Sequence, residues 1–357
     1  MVEAGQDLKQ TKLYPPNPDT FRGQRTQLSV SPDETFLAYC VQHSVILRNL
    51  KEPTKSFVYS DFLDKVTAVK YAPNGNLIAT GDCKGRVKVW SFNTESREVF
   101  VKKEHQITQH PIMDIAWTDD SSRFVAVGQG QGVYSKAVNA ETGSGVGEAI
   151  AASKTLYSVD IKKKPYKLAA GGENFHVFTQ TGVPFKHEKQ ITDQHTHFVN
   201  RVAFNPDGSK LASVSSDKSV VIFDAATMEV VKKLESAHSK GVLDLGWLDE
   251  DNFLTSSSDN TIKLWNVSGE LHKTLRAADG EEKLENQQVA VAITKEFFYS
   301  VLLSSNLLTY FGKAVFEEDQ LLPQNVAVGH KHHVTALANE GSLLLSGDQD
   351  GRLLYWQ

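Results

Sequence analysis

One motif recurs along this chain, and its period constrains the fold more than any other feature. It is clearest in residues 238–266, HSKGVLDLGWLDEDNFLTSSSDNTIKLWN. Three short apolar runs stand out: Val242, Leu243, Leu245 and Trp247; then Phe253 and Leu254; then Ile262, Leu264 and Trp265. Turn-forming residues separate them, 248–252 and then Ser258-Asp259-Asn260. Alternating apolar residues bounded by Asp, Asn and Ser predict strands. Asp and Asn bond their own backbone and tolerate left-handed geometry, so the second turn is tight. Such a unit cannot bury both its faces alone and must stack on copies of itself.

Copies run along the whole chain. First strands are predicted to start at Thr26, Val66, Ile112, Leu156, Val199, Val242, Asn286 and Val334, at intervals of 40, 46, 44, 43, 43, 44 and 48 residues. A period of roughly 40–45 residues with a strand-turn-strand-turn-strand motif marks a WD-repeat β-propeller. The expected fold is all-β: eight repeat units in a seven- or eight-bladed ring of four-stranded antiparallel blades. Two regions follow, an extended N-terminal arm at 1–25 and the propeller at 26–357. The arm contains Pro15, Pro16, Pro18 and one strand candidate, Lys12-Leu13-Tyr14. The last unit reaches only its third strand at Trp356-Gln357, so the arm is the expected donor of a closing fourth strand, which would remove an exposed edge.

Recurring polar residues suggest a network within each blade. His238, Asp259 and Trp265 are the expected set in the sixth unit, and His330, Asp350 and Trp356 in the eighth. The fifth has His195 and Asp217, with Phe223 in place of Trp, and the second has Lys84 where Asp is expected. Buried polar groups need partners, so these residues read as scaffold.

Net charge of −5 and a pI near 6.2 give no nucleic-acid footprint. Cys40 and Cys83 fall in different repeats and read as reduced thiols rather than a disulfide. No apolar stretch approaches the ~18 residues that span a membrane, and 1–19 lacks a secretory apolar core, so the expected location is cytosolic or nuclear. No catalytic motif is found. Gly128-Gln129-Gly130-Gln131-Gly132 has no following helix to hold a phosphate. His330, His332 and His333 lack helical metal-ligand spacing, and no metal or cofactor is expected.

Several blocks, in order and phase, resemble one family. They include Arg22-Gly23, Val45-Ile46-Leu47-Arg48-Asn49, Val69-Lys70-Tyr71-Ala72-Pro73-Asn74-Gly75 and Asp114-Ile115-Ala116-Trp117-Thr118. Ser158-Val159-Asp160-Ile161-Lys162, Pro184-Phe185-Lys186 and His195-Thr196-His197-Phe198-Val199-Asn200 continue the series. The chain resembles the actin-interacting protein 1 family, WD-repeat cofactors of ADF/cofilin, from about residue 12 onward. Family members carry two propellers, so the resemblance is to the N-terminal half. It implies binding to filamentous actin decorated by ADF/cofilin and promotion of filament severing and disassembly. It also implies a non-enzymatic, cytoplasmic monomer on the actin cytoskeleton.

Carried over by motif, the actin- and cofilin-facing residues are Gln129, Glu173, Lys186, His187 and Phe198. Gln129 stands where the family has an acid and His187 where it has an aromatic. An aromatic with flanking charges on adjacent blades is a plausible hot spot. The alternative is a generic WD-repeat scaffold for multiprotein complexes, which would not need one patch on the third to fifth units. A propeller enzyme would need converging polar side chains at the channel mouth, which the irregular placement of such residues does not suggest.

Overall fold

The computed structural model describes residues 15–147, 149–173, 176–276, 282–304, 307–311, 325–327, 334–340, 343–348 and 353–356. Secondary structure among them is strand, with two short 3-10 turns at Pro53–Lys55 and Leu284–Asn286. Six of the predicted first strands begin where the pattern put them, at Val66, Ile112, Leu156, Val199, Val242 and Val334. The other two begin two residues later, at Leu28 and Gln288.

Antiparallel pairing of consecutive strands forms eight sheets, over residues 28–59, 66–106, 112–139, 156–191, 199–234, 242–276, 288–327 and 334–356. Among the described residues six are four-stranded, and the third and the eighth have three strands. The expectation of seven or eight four-stranded blades is therefore corrected to six. In the third sheet the chain after Ser135–Asn139 carries Gly143, Gly145 and Gly147, which weaken a strand. It makes one isolated bridge back to Val138 and then a parallel bridge from Gly147 to Phe185 of the fourth sheet. A Cβ on Gly147 would lie 2.3 Å from the Phe185 carbonyl oxygen, so only glycine permits this crossing.

Apolar seams show how the ring closes. Six of the seven buried clusters among the described residues each join one sheet to the next, from the first and second (Val45, Val66, Trp90) to the sixth and seventh (Leu254, Ile262, Phe298). The remaining cluster joins the seventh sheet back to the first, through Val289, Val301, Leu37 and Tyr39. Polar contacts reinforce this seam: Thr26 N donates to Val289 O at 3.1 Å, and Lys295 N donates to Glu34 Oε1 at 3.1 Å. Among the described residues the ring thus closes through seven sheets, each built of strands consecutive in the chain. The eighth stands outside it: Thr335, Ala336, Leu337 and Ala338 of its first strand are exposed, with Leu337 at 69%, whereas inner strands of the ring are mostly buried.

Residues 15–27 bind the ring itself. The Tyr39 hydroxyl donates to Pro16 O at 2.6 Å, Asp19 N donates to Cys40 O at 3.2 Å, and Thr20 Oγ1 donates to Leu303 O at 2.7 Å. The end of the proposed arm is therefore a tie across the first and seventh sheets; Lys12-Leu13-Tyr14 lies outside the described residues.

Blade networks are built in the fifth and sixth sheets. His238 Nδ1 lies 3.0 Å from Asp259 Oδ2, its Nε2 lies 2.7 Å from Thr255 Oγ1, and Trp265 Nε1 donates to Thr255 Oγ1 at 3.0 Å. His195 repeats the first two contacts with Asp217 and Ser213, at 3.3 and 2.6 Å, while Phe223 supplies no N–H. The second sheet solves the problem differently. Phe62 stands at the His position, and Asp82 accepts from Lys84 N and Arg86 N, replacing the carboxylate expected at position 84. His330 and Asp350 lie outside the described residues, as does the side chain of Trp356. Cys40 is buried, and burial raises its thiol pKa; Cys83 is half-buried.

Candidate protein-binding face at the mouth of the ring

Two kinds of segment form one face of the ring: the loop entering each inner strand and the turn after each second strand. A repeated backbone bond ties them. Gln129 N donates to Pro111 O at 3.0 Å, Glu173 N to Thr155 O at 2.9 Å, and Ser216 N to Phe198 O at 2.9 Å. Gln129, Glu173 and Phe198 therefore sit in one layer on three successive sheets. Gln129 is exposed; Glu173 and Phe198 are half-buried.

Glycine shapes the loop that presents Gln129. A Cβ on Gly128 would meet Pro111 O at 2.1 Å, and one on Gly130 would meet Val133 O at 1.8 Å. Gly128 and Gly130 are thus packing requirements, whereas Gly132 has open space and is set by its positive φ of 89°.

Bulges in the inner strands supply a second layer. Register shifts place Met113, Tyr157 and Asn200 as the extra residues of the third, fourth and fifth sheets. A bulge re-aims a side chain that would otherwise alternate regularly. These three side chains, with Arg22, Arg25 and Phe198, line a pocket of about 180 Å³ at the ring mouth. Tyr157 joins the layers: its hydroxyl donates to Glu173 Oε1 at 2.7 Å, and its ring centroid lies 5.9 Å from that of Phe198. Burial, then the Glu173 carboxylate, raises the Tyr157 pKa, so the phenol stays protonated and donates. His197 also packs on Phe198, with ring centroids 4.4 Å apart.

Lys186 and His187 are not part of this cluster. They open the outer strand Lys186–Ile191 of the fourth sheet, where Lys186 pairs with Thr181 and Thr181 with Lys167. That row is at the opposite end of the sheet from Glu173, which follows Gly172. A strand advances about 3.3 Å per residue, so the separation along the sheet is roughly 16 Å or more. Both residues are exposed. The expectation of one patch holding Phe198, Glu173 and Lys186 is corrected: the first two meet through Tyr157, and Lys186 and His187 stand at the other end.

Beneath the mouth lies a charged layer that the repeat pattern had not revealed. Arg25 Nη2 lies 3.0 Å from Asp114 Oδ2 and its Nη1 3.6 Å from Asp244 Oδ1. Arg201 makes a parallel pair of contacts, with Asp114 at 2.9 Å and Asp244 at 3.7 Å. Lys70 and Asp160 complete three cations and three carboxylates. Burial pushes the carboxyl of Asp114 up, but Arg25, Arg201 and Lys70 outweigh it and hold its pKa below the usual range. For Asp160 and Asp244 burial wins and the pKa is raised. Burial lowers the Lys70 pKa, with Arg201 adding repulsion. The carboxylates also bind neighbouring backbones: Val159 N donates to Asp114, Phe204 N to Asp160 and Val291 N to Asp244. The sequence signal for all but Arg25 was there, as charges at the third or fifth positions of otherwise apolar inner strands. The arrangement is a closed set of ion pairs that ties sheets together.

The fold and this face define a WD-repeat β-propeller. The WD domain, G-beta repeat family matches residues 53–91, 187–224, 228–266 and 323–357. A chain of a mitotic checkpoint complex crystal structure superposes with a TM-score of 0.69 at 17% identity, covering 84% of this chain and 93% of that one, which supports the fold alone. Actin-interacting protein 1 of Drosophila melanogaster is 33% identical over 349 residues, 96% of this chain and 56% of that protein. WD repeat-containing protein 1 of Xenopus tropicalis is 33% identical over 353 residues, 97% and 56% of the two chains, and that of Gallus gallus is 32% identical over the same shares. The chain belongs to the actin-interacting protein 1 family and spans just over half the length of these relatives.

Proposed function

We propose that this chain binds actin filaments and cooperates with ADF/cofilin to promote their severing and disassembly. Binding centres on the face carrying Gln129, Glu173 and Phe198, with Lys186 and His187 extending the footprint down the outer edge of the fourth sheet. The observation that carries this reading is the Tyr157-buttressed pairing of Glu173 with Phe198, in a chain whose relative is named for interacting with actin. A half-buried aromatic held rigidly beside a charge loses little entropy on docking and suits a hot spot. The protein acts without catalysis, as a cytoplasmic monomer at the actin cytoskeleton.

Co-sedimentation with filamentous actin, with and without cofilin, tests the proposal. Pelleting with cofilin-decorated filaments, abolished by Phe198→Ala, is the expected result; no pelleting by a folded chain in either condition would count against it. A general WD-repeat scaffold is the second reading, favoured by the separation of Lys186 and His187 from the face. It predicts that Phe198→Ala leaves any filament association unchanged.

A further inference from the structure

The pocket at the ring mouth is lined by two guanidinium groups, Arg22 and Arg25, and by no carboxylate. Three of its other polar side chains are committed as donors: Asn200 Nδ2 to Val242 O and Ser216 Oγ, Gln27 Nε2 to Met113 O, and the Tyr157 hydroxyl to Glu173. Arg25 is not fully satisfied. Its side chain is only 8% exposed, its two terminal nitrogens face Asp114 and Asp244, and its Nε finds no acceptor among the described residues. Arg22 is exposed at the rim of the same pocket. Met113, Tyr157 and Phe198 provide apolar walls, which suit methylene groups.

We infer that this pocket binds a carboxylate, presented as an Asp or Glu side chain by the filament partner that docks on Phe198. The inference rests on the filament-binding reading and adds to it the chemistry of the contact. One carboxylate would pair with the exposed Arg22 guanidinium beside the positive charge of Arg25, and its methylenes would meet the apolar wall. Charge-assisted hydrogen bonds of this kind are about twice as strong as neutral ones.

The test compares variants of the full chain in co-sedimentation with cofilin-decorated filaments. Arg22 is exposed, so Arg22→Glu leaves the ring intact; it should weaken binding about tenfold, while Arg22→Lys keeps most of it. Lys84→Glu makes the same charge change on an exposed turn of the same face, outside the pocket, and should stay within about twofold. Wild-type binding by Arg22→Glu, or an equal loss in Lys84→Glu, overturns the inference while leaving the filament reading intact if Phe198→Ala still releases the chain. Thermal unfolding of the free chain in sodium glutarate against sodium chloride, at constant ionic strength, distinguishes the source of the carboxylate. A rise in Tm with glutarate that Arg22→Glu abolishes shows that free carboxylates enter. No rise, together with the Arg22→Glu binding loss, assigns the group to the filament. Should Phe198→Ala bind like wild type, the filament reading fails and the glutarate result alone decides: no rise then overturns the pocket as well.

Discussion

The Tyr157 hydroxyl donates to Glu173 Oε1 at 2.7 Å, linking a bulge in an inner strand to the turn after the neighbouring strand. The same ring supports Phe198 of the next sheet. Tyr157→Phe removes the hydrogen bond and keeps the ring. We expect a stability loss of about 0.5–1.5 kcal/mol in urea unfolding. Filament binding should weaken less than in Phe198→Ala, because the aromatic support remains while Glu173 is released.

Arg25 balances two buried carboxylates from sheets on different sides of the ring. Removing one partner of a buried ion pair leaves uncompensated charge, at a cost of about 3–5 kcal/mol. Arg25→Ala should therefore lower the urea midpoint strongly. Adding Asp244→Asn, whose carboxyl is already disposed to protonate by burial, should recover part of the loss. A double variant no more stable than Arg25→Ala would show that the pairing contributes little.

Acid should loosen the sixth blade first through His238. Burial lowers the His238 pKa, against the opposing pull of Asp259, and Lys263 adds to the lowering. The unfolded chain, with its His near 6.5, therefore takes up more protons than the folded one as pH falls below that value. Stability from this group is present above pH 6.5 and declines as pH drops toward the folded pKa, by up to about 1.4 kcal/mol per pH unit. The Asp259 carboxyl is raised by burial but pulled down further by its bonds to His238 and Thr261, so its contribution is lost at lower pH, below about 4. Urea unfolding at pH 7, 6 and 5 should show a shallower slope in His238→Gln than in wild type, at a lower stability overall.

Gly128 has no room for a side chain, since a Cβ would fall 2.1 Å from a backbone oxygen. Gly128→Ala should cost about 1–3 kcal/mol of stability, the range for an overpacked interior. Because the loop must shift, amide exchange of Gln129 and Gly130 should rise. An unchanged melting temperature would show that the Pro111 segment yields easily.

Much of the local structure was legible in the sequence. Six inner strands begin at the predicted residues, because alternation and turn chemistry act over a few neighbouring positions. His238 meets Asp259 and His195 meets Asp217 for the same reason: both partners belong to one repeat. Gln129 and Glu173 share a face because they occupy the same phase of their repeats, and Phe198 joins them from the entering loop that this phase bonds to in every case.

Other properties needed the tertiary structure. A repeat count cannot say how many units close a ring; that depends on the angle between packed sheets, and here Val289 and Val301 find Leu37 and Tyr39 after seven sheets, leaving the eighth outside. Nor does spacing reveal that Lys186, only twelve residues before Phe198, lies at the other end of its sheet, since the outer strand must run back to the face before Phe198 is reached. The meeting of Arg25, Asp114, Arg201 and Asp244 was hidden longest. Asp114, Arg201 and Asp244 each read alone as a charge misplaced in an apolar strand and Arg25 as a loop charge, and only closure of the ring, by removing water from all of them together, makes each the necessary partner of the others.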